Sequence, residues 1–508
     1  MRWRGRHARP RLPGDDFAPT SKINCGDRIK TLLNAGCGLR SRADARRAGA
    51  PIKPVQFGRW RSAQVLLAFA TNQIRTLTRL HAESGPYVIL HYPTSRPAKP
   101  QILPCIADAE LYRSVATNAE AWRSVNIVMR AFKGHAANRL NTSLSRLRGK
   151  QHAHYRRMLA LPLSKPAVAG MAPDMAGIAR RSVEAWPRGE AVDLVPLANE
   201  LMQDFAITLL FGNDFLRGRP VAHMIGDVIA SMQPIPGRAY FRWLRTAPKL
   251  EFAINQWAAD KRGDLDPKDI FSILVNNRDE NGQPPSMEVV AGILIFAFGA
   301  GYDTCQNAFA WAMVLLAQHP AIAADLTDEI DQALGGGPPV MSKLASLPLL
   351  DQVIKESMRL FPPVPLHFRR STIETQLGDA TIPAGMRVLT SLFLINRDPA
   401  LYAEPSKFKP ERWSSLDPAP FQYPVFGVGA RMCPGTLFGL QMLKIAVAAV
   451  LSCHRVELAP NARIDYRSTI TLTPHPGVPV ILRDKTAAPQ RQALTGSIRE
   501  LVDLPATN

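Results

Sequence analysis

The stretch Phe426-Gly427-Val428-Gly429-Ala430-Arg431-Met432-Cys433-Pro434-Gly435 lies about seventy residues before the end of a 508-residue chain, and the fold turns on how it is read. One cysteine sits on a glycine-rich loop that opens directly into an apolar helical run, Leu437 to Ser452. Glycines let the backbone turn tightly and bring N–H groups near the sulfur. Those N–H groups, with the positive end of the following helix, favour thiolate over thiol. A lone cysteine is more often a small buried apolar residue. Here the neighbours reverse that reading, and Cys433 is taken as a metal ligand. Arg431, two residues away, supplies a fixed cation for an anionic group on a bound cofactor.

The pattern Phe-x-x-Gly-x-Arg-x-Cys-x-Gly closely resembles the haem-binding loop of the cytochrome P450 family, whose cysteine thiolate is the proximal ligand of haem iron. The resemblance implies haem b ligated by Cys433, with Phe426, Gly429, Arg431 and Gly435 around it. A thiolate pushes electron density onto iron and favours O–O cleavage, so the ligand points to oxygen activation.

A second motif lies on a helix that Ser286 caps and Glu288 supports, running without proline to His319. At its middle stands Ala300-Gly301-Tyr302-Asp303-Thr304. Glycine there costs about 1 kcal/mol against alanine, and the acid and hydroxyl are expected to divert backbone hydrogen bonds and open the helix locally. The segment resembles the family's Ala/Gly-Gly-x-Asp/Glu-Thr, which lines the oxygen pocket and relays protons. By resemblance Ala300 and Gly301 adjoin the haem, Thr304 is the pocket hydroxyl and Asp303 the acid of the relay. Cys305 stands where relatives often carry a second hydroxyl.

Leu347 to Phe361 reads as a helix with Glu356 and Arg359 three apart on one face. Phe408-Lys409-Pro410-Glu411-Arg412-Trp413 resembles the family's Pro-Glu/x-Arg-Phe/Trp segment. The resemblance assigns Glu356, Arg359 and Arg412 to a buried network bracing the haem loop, a structural role. Haem propionates call for arginine or histidine partners. His152 and Arg156 are four apart in Gly149 to Arg157, and Pro363 to Arg369 followed by Thr381 to Gly385 matches another family stretch. His-x-x-x-Arg-Arg resembles the haem-contacting helix of soluble bacterial members of the family, and by resemblance His152, Arg156, Arg369 and Arg431 are the propionate set, while His154 and His367 are left unassigned. After the loop, Gly439 and Met442 depart from the alanine and glutamate common in relatives.

Apolar residues at 46% and charged residues at 20% provide ample core for a globular protein. The 62 Lys+Arg against 42 Asp+Glu leave a formal charge of +20. Such a balance suits nucleic acid, an anionic membrane or an acidic protein. No nucleic-acid-binding signature is present, and an acidic electron donor docking near the cysteine loop fits best. Six cysteines without a C-x-x-C pair match a reducing compartment. No run reaches the ~18–20 apolar residues of a membrane-spanning helix, the best candidate, Ala291 to Tyr302, being short.

Residues 1–50 hold twelve Lys/Arg against four Asp and no long amphipathic pattern. Residues 1–62 are expected to form a weakly ordered basic extension, with order beginning near residue 63. Ala63 to His81 is expected to be helical, Tyr87 to Tyr92 a strand, and Pro267 to Asn277 a short helix. Residues 63–486 form one large, mainly α domain with small β-sheets, of cytochrome P450 type, and 487–508 a loosely held tail.

The resemblance implies a haem-thiolate monooxygenase that takes two electrons from a separate ferredoxin- or flavodoxin-type partner and hydroxylates a lipophilic small molecule, terpenoid or fatty-acid-like. Pocket walls are expected to include Met202, Phe205, Phe296, Phe298, Val364 and Leu366. The bacterial cytoplasm is favoured over a mitochondrion. The alternatives are a peroxide-using or isomerising haem-thiolate enzyme, which has less need of Asp303 and Thr304, and a non-catalytic haem sensor.

Overall fold

A computed structural model describes residues 52–92, 101–125, 131–231, 237–263, 268–278, 282–487 and 490–505. The first 51 residues, and with them most of the basic extension, lie outside these.

The helices that matter for the site, numbered in chain order as used here, are α1 Arg59–Thr71, α2 Gln73–Ser84, α3 Ala109–Thr117, α4 Gly149–Ala160, α5 Lys165–Glu184, α6 Leu194–Phe211, α7 Phe215–Ser231, α8 Arg238–Lys261, α9 Met287–Gln318, α10 Pro348–Leu360 and α11 Thr436–Cys453. At the centre runs α9, packed against α6 on one side and α11 on another, with α11 in turn lying on α5. Ser286 caps α9 through its side chain, as its position before the apolar run predicts.

A six-stranded sheet covers one flank. Its strands are β1 Val55–Phe57, β2 Tyr87–His91, β3 Ile102–Ile106, β4 Trp122–Ser124, β5 Leu366–Ser371 and β6 Arg387–Ser391, in spatial order β1-β2-β3-β6-β5-β4. β1 runs parallel to β2, with Val55 opposite Val88. β5 lies antiparallel to β6, with Arg369 opposite Val388. A hairpin of β7 Asp465–Ser468 and β8 Leu472–His475 comes back against α9.

Four expectations need correcting. Order starts before residue 63: β1 pairs with β2, and α1 begins at Arg59. The single helix expected over 63–81 is two, because Asn72 takes an extended conformation and its side chain accepts the Arg75 N–H at 2.9 Å, capping α2. The end of the chain is not a loose tail. Leu494–Thr495 pairs with Ala462–Arg463, and Ile498, Leu501 and Val502 are buried in the core. Lastly, α6, α9 and α11 are each long and apolar enough to cross a membrane by length and composition. Most of each of these helices is buried within the protein, which is what an apolar surface there serves.

Candidate active site

The cysteine loop is built from two single 3-10 turns, Pro424–Phe426 and Gly429–Arg431, folded against α3. Gly429 has a φ of 73°, and a Cβ there would stand 2.6 Å from the Ala116 carbonyl oxygen, so only glycine fits. The Cys433 N–H donates to the Phe426 carbonyl at 2.8 Å and closes the loop. Thr436 Oγ1 donates to the Cys433 carbonyl at 3.0 Å where α11 starts.

Burial pushes the Cys433 thiol above its ordinary value, and the Gly435 N–H, the Thr436 hydroxyl and the Arg156 charge offset only part of that. The Gly435 N–H thus favours the thiolate, as expected, while burial works against it. A coordinated metal ion deprotonates a thiol outright.

Across from the loop, α9 opens along one face. Most of the helix is buried, yet Phe296 and Ala300 are exposed and Ala297, Gly301 and Thr304 half-buried. Their spacing of three and four puts them on one stripe. A Cβ added at Gly301 would meet nothing within 4 Å. The next residue after Thr304, Cys305, has its sulfur 3.5 Å from where a Gly439 Cβ would stand, so this part of α9 passes over the start of α11. Thr304 Oγ1 donates to the Ala300 carbonyl at 2.7 Å, and the helix continues unbroken. The expected local opening is absent because the hydroxyl bonds back onto its own helix.

Asp303 turns away from that stripe. Its Oδ2 accepts the Thr471 hydroxyl at 3.0 Å. Burial raises the Asp303 carboxyl above its usual range, and the Thr471 bond restrains part of the rise. Thr471 leads into β8, which Trp311 of α9 holds by donating Nε1–H to the Leu472 carbonyl at 2.9 Å. Thr471 carries no motif and is 168 residues from Asp303, so sequence reading missed it.

His152 and Arg156 of α4, Arg369 of β5 and Arg431 of the loop lie close enough for their charges to act on one another. Burial lowers all three guanidinium groups, and Arg369, Arg156 and Arg148 further crowd Arg431. His152 is depressed to about 4, by burial first and then by Arg431 and Arg156. None of the four is ion-paired with a carboxylate among the described residues. Cations gathered without a counter-charge raise one another's energy and call for an anion. Arg431 also donates to the Leu144 and Leu147 carbonyls, at 3.3 and 2.9 Å.

Beside them lies a pair that sequence reading left out. Tyr112 Oη is 3.4 Å from His367 Nδ1, and the Val428 N–H also bonds the phenol. Burial, then Arg369, depresses His367 to about 3, so this half-buried ring stays neutral. His154, the other unassigned histidine, meets Asn277 Nδ2 at 2.9 Å, on α4 but away from the cluster.

Glu356 and Arg359 are fully buried and joined at 2.8 Å by both pairs of atoms. Glu356 further accepts Arg412 Nε at 3.0 Å, Trp413 Nε1 at 2.9 Å and the Lys409 N–H at 3.0 Å. Arg359 spends its other donors on the Asn396, Pro405 and Lys407 carbonyls. Burial alone would raise the Glu356 carboxyl; the attraction of Arg359, and then of Arg412, outweighs it and leaves the group below its ordinary value. Of the expected pocket residues, Met202, Phe205 and Phe298 are core, with Phe298 stacked on Phe211 at 6.2 Å. Leu366 is buried too, while Phe296 and Val364 stay accessible.

A mainly helical domain with a cysteine loop under a half-open central helix is the layout of a haem-thiolate oxygenase. The family model for Cytochrome P450 matches residues 98–479. The chain belongs to the cytochrome P450 family and is a cytochrome P450 monooxygenase. It is 28% identical over 397 residues to "Cyclooctatin synthase" of Streptomyces melanosporofaciens, covering 74% of this chain and 85% of that protein. It is 26% identical over 388 residues to "Pentalenene oxygenase" of Streptomyces avermitilis, covering 71% of this chain and 83% of that one. The solved structure of retinoic acid bound cyanobacterial CYP120A1 shares the fold, with a TM-score of 0.70 at 24% identity over 86% of this chain and 99% of that one. The residues present fit the haem the family implies: a cation cluster with no carboxylate partner among the described residues for two propionates, a thiol with donors turned to it, and a glycine, Gly301, whose added Cβ would meet nothing within 4 Å.

Proposed function

We propose that this monooxygenase draws two electrons from a separate ferredoxin- or flavodoxin-type protein in the bacterial cytoplasm and hydroxylates a bulky terpenoid. One atom of O2 enters the substrate, and the other leaves as water with two protons. Haem b held by Cys433 would supply the oxygen-activating iron, with the thiolate favouring O–O cleavage. His152, Arg156, Arg369 and Arg431 would hold its propionates, and Phe426, Gly429 and Gly435 would shape the loop beneath. Ala300 and Gly301 leave room on the α9 face. Asp303, its carboxyl raised by burial, supplies a proton, and Thr304 presents its hydroxyl to the pocket. Glu356, Arg359 and Arg412 keep the loop in register.

The observation that carries this reading is Thr304 on the half-open stripe of the helix that passes the cysteine loop, with the acid Asp303 next to it in the chain and raised by burial. The terpenoid class rests on the relatives named for cyclooctatin and pentalenene, and the bacterial setting on their source. Optical titration of the ferric protein with terpenoid hydrocarbons and with fatty acids tests it. A saturable spin-state shift with terpenoids, and a product carrying one labelled oxygen from O2, are expected. A shift with fatty acids alone would overturn the substrate class, and a chain unable to take up haem would overturn the whole reading.

A further inference from the structure

Tyr112 of α3 is only 1% exposed, and its phenol oxygen is held from two sides. The Val428 N–H of the cysteine loop donates to it, and His367 Nδ1 of β5 lies 3.4 Å away. Gly427, at a φ of 71°, lays its backbone on the pair. A Cβ added there would stand 3.6 Å from the phenol oxygen and 3.7 Å from His367 Cε1. Helix, strand and cysteine loop meet at this one contact.

Counting hydrogens fixes the direction of the Tyr112–His367 bond. The phenol has one hydrogen, and no acceptor for it other than His367 Nδ1 exists among the described residues. Were Nδ1–H the donor instead, the buried phenol hydrogen would be left without a partner, which buried polar groups avoid. The satisfied arrangement has the phenol donating to Nδ1. A neutral imidazole carries a single hydrogen, which then sits on Nε2. That N–H has no partner among the described residues.

Its neighbours say what it is for. His367 and Arg369 stand opposite Thr390 and Val388 of β6, two residues apart, and so share one face of β5. Arg369 is half-buried and belongs to the cation cluster assigned above to the propionates. Arg369, Arg156 and Arg148 already crowd Arg431 there. A neutral N–H adds a hydrogen bond for an anion without adding another charge to that crowd.

We propose that His367 is a positioning residue for haem: its Nε2–H donates to a propionate, and Tyr112 holds the ring in the tautomer that does so. Donation draws the propionate's negative charge away from the iron and so raises the reduction potential. Through Val428 the same phenol ties this contact to the loop that carries Cys433. The inference rests on haem bound at Cys433, as proposed above.

Nitrogen NMR of the reduced, carbon-monoxide-bound protein labelled in its histidines reads the tautomer, the His367 signals being those lost in His367→Gln. A protonated Nε2 and a bare Nδ1 are expected at pH 7, and the reverse would overturn the proposal. His367→Phe keeps a ring and removes the donor. Its haem is expected to pass to apomyoglobin about tenfold faster or more, and its reduction potential to fall. His367→Gln puts an amide N–H near the place of Nε2 and is expected to restore both. Tyr112→Phe frees the tautomer and is expected to move both in the direction of His367→Phe, by less. A phenylalanine variant at position 367 with the parent's haem-loss rate and potential would overturn the proposal. So would a glutamine variant that behaves like it, which would make packing the ring's role. Haem taken up without a thiolate-type spectrum would overturn the Cys433 reading, and this proposal with it.

Discussion

At Asp303 one hydroxyl decides how the acid is held. The Thr471 hydrogen bond favours the charged carboxylate and works against the burial that raises the group. Removing it in Thr471→Val lets the carboxyl rise further. A bond to a charged group is worth about 1.5–3 kcal/mol. The alkaline limb of the pH–turnover profile, where the donor loses its proton, is expected to move to higher pH, and Thr471→Ser is expected to return it. A profile that stays put in the valine variant would show that Asp303 takes no part in proton delivery.

Within single elements, geometry sets the sign of a substitution. Gly292 and Gly301 lie on the same helix, and both would gain helix propensity as alanine. A Cβ at Gly292 would fall 1.6 Å from the Thr142 carbonyl oxygen, whereas at Gly301 it would meet nothing within 4 Å. Gly301→Ala is expected to stabilise the fold by up to about 1 kcal/mol while narrowing the pocket, read as weaker substrate binding in the spin-state titration. Gly292→Ala is expected to destabilise by several kcal/mol, on the order of an overpacked core, measured by urea unfolding. The α10 network behaves differently. Glu356→Gln leaves Arg359 buried without its counter-charge and is expected to cost about 3–5 kcal/mol. A urea midpoint like the parent's would mean that the pair is not the brace of the loop.

For the molecule as a whole, buried neutral histidines set the response to acid. Burial depresses His81 to about 4, partly restored by its bond to the Gly85 carbonyl, against an ordinary value of 6.5. Between those values the unfolded chain binds a proton that the folded one refuses. Stability is therefore complete above about pH 6.5 and falls as pH drops toward the folded value. The loss from His81 is roughly 2–3 kcal/mol by pH 4, and His367 adds to it with the same sign. Unfolding free energies at pH 7.5 and pH 5 check this, and His81→Asn, which keeps an N–H donor, is expected to flatten the dependence. Equal stability at both pH values would place the protons elsewhere.

The sequence by itself determined the parts whose chemistry is local. The closed turn of the cysteine loop, the Ser286 cap and the Glu356–Arg359 pair were legible because they rest on residues a few positions apart, whereas the local opening expected on α9 did not form. The grouping of His152, Arg156, Arg369 and Arg431 came through resemblance, and no local pattern links them. Only the tertiary structure decided what depends on distant segments. It paired Thr471 with Asp303, set Tyr112 against His367, drew Met202, Phe205 and Phe298 into the core and packed the last residues of the chain. It also showed that burial outweighs the donors at Cys433. Long-range contacts and desolvation depend on what the remainder of the chain brings alongside, and no period or motif near a residue records that.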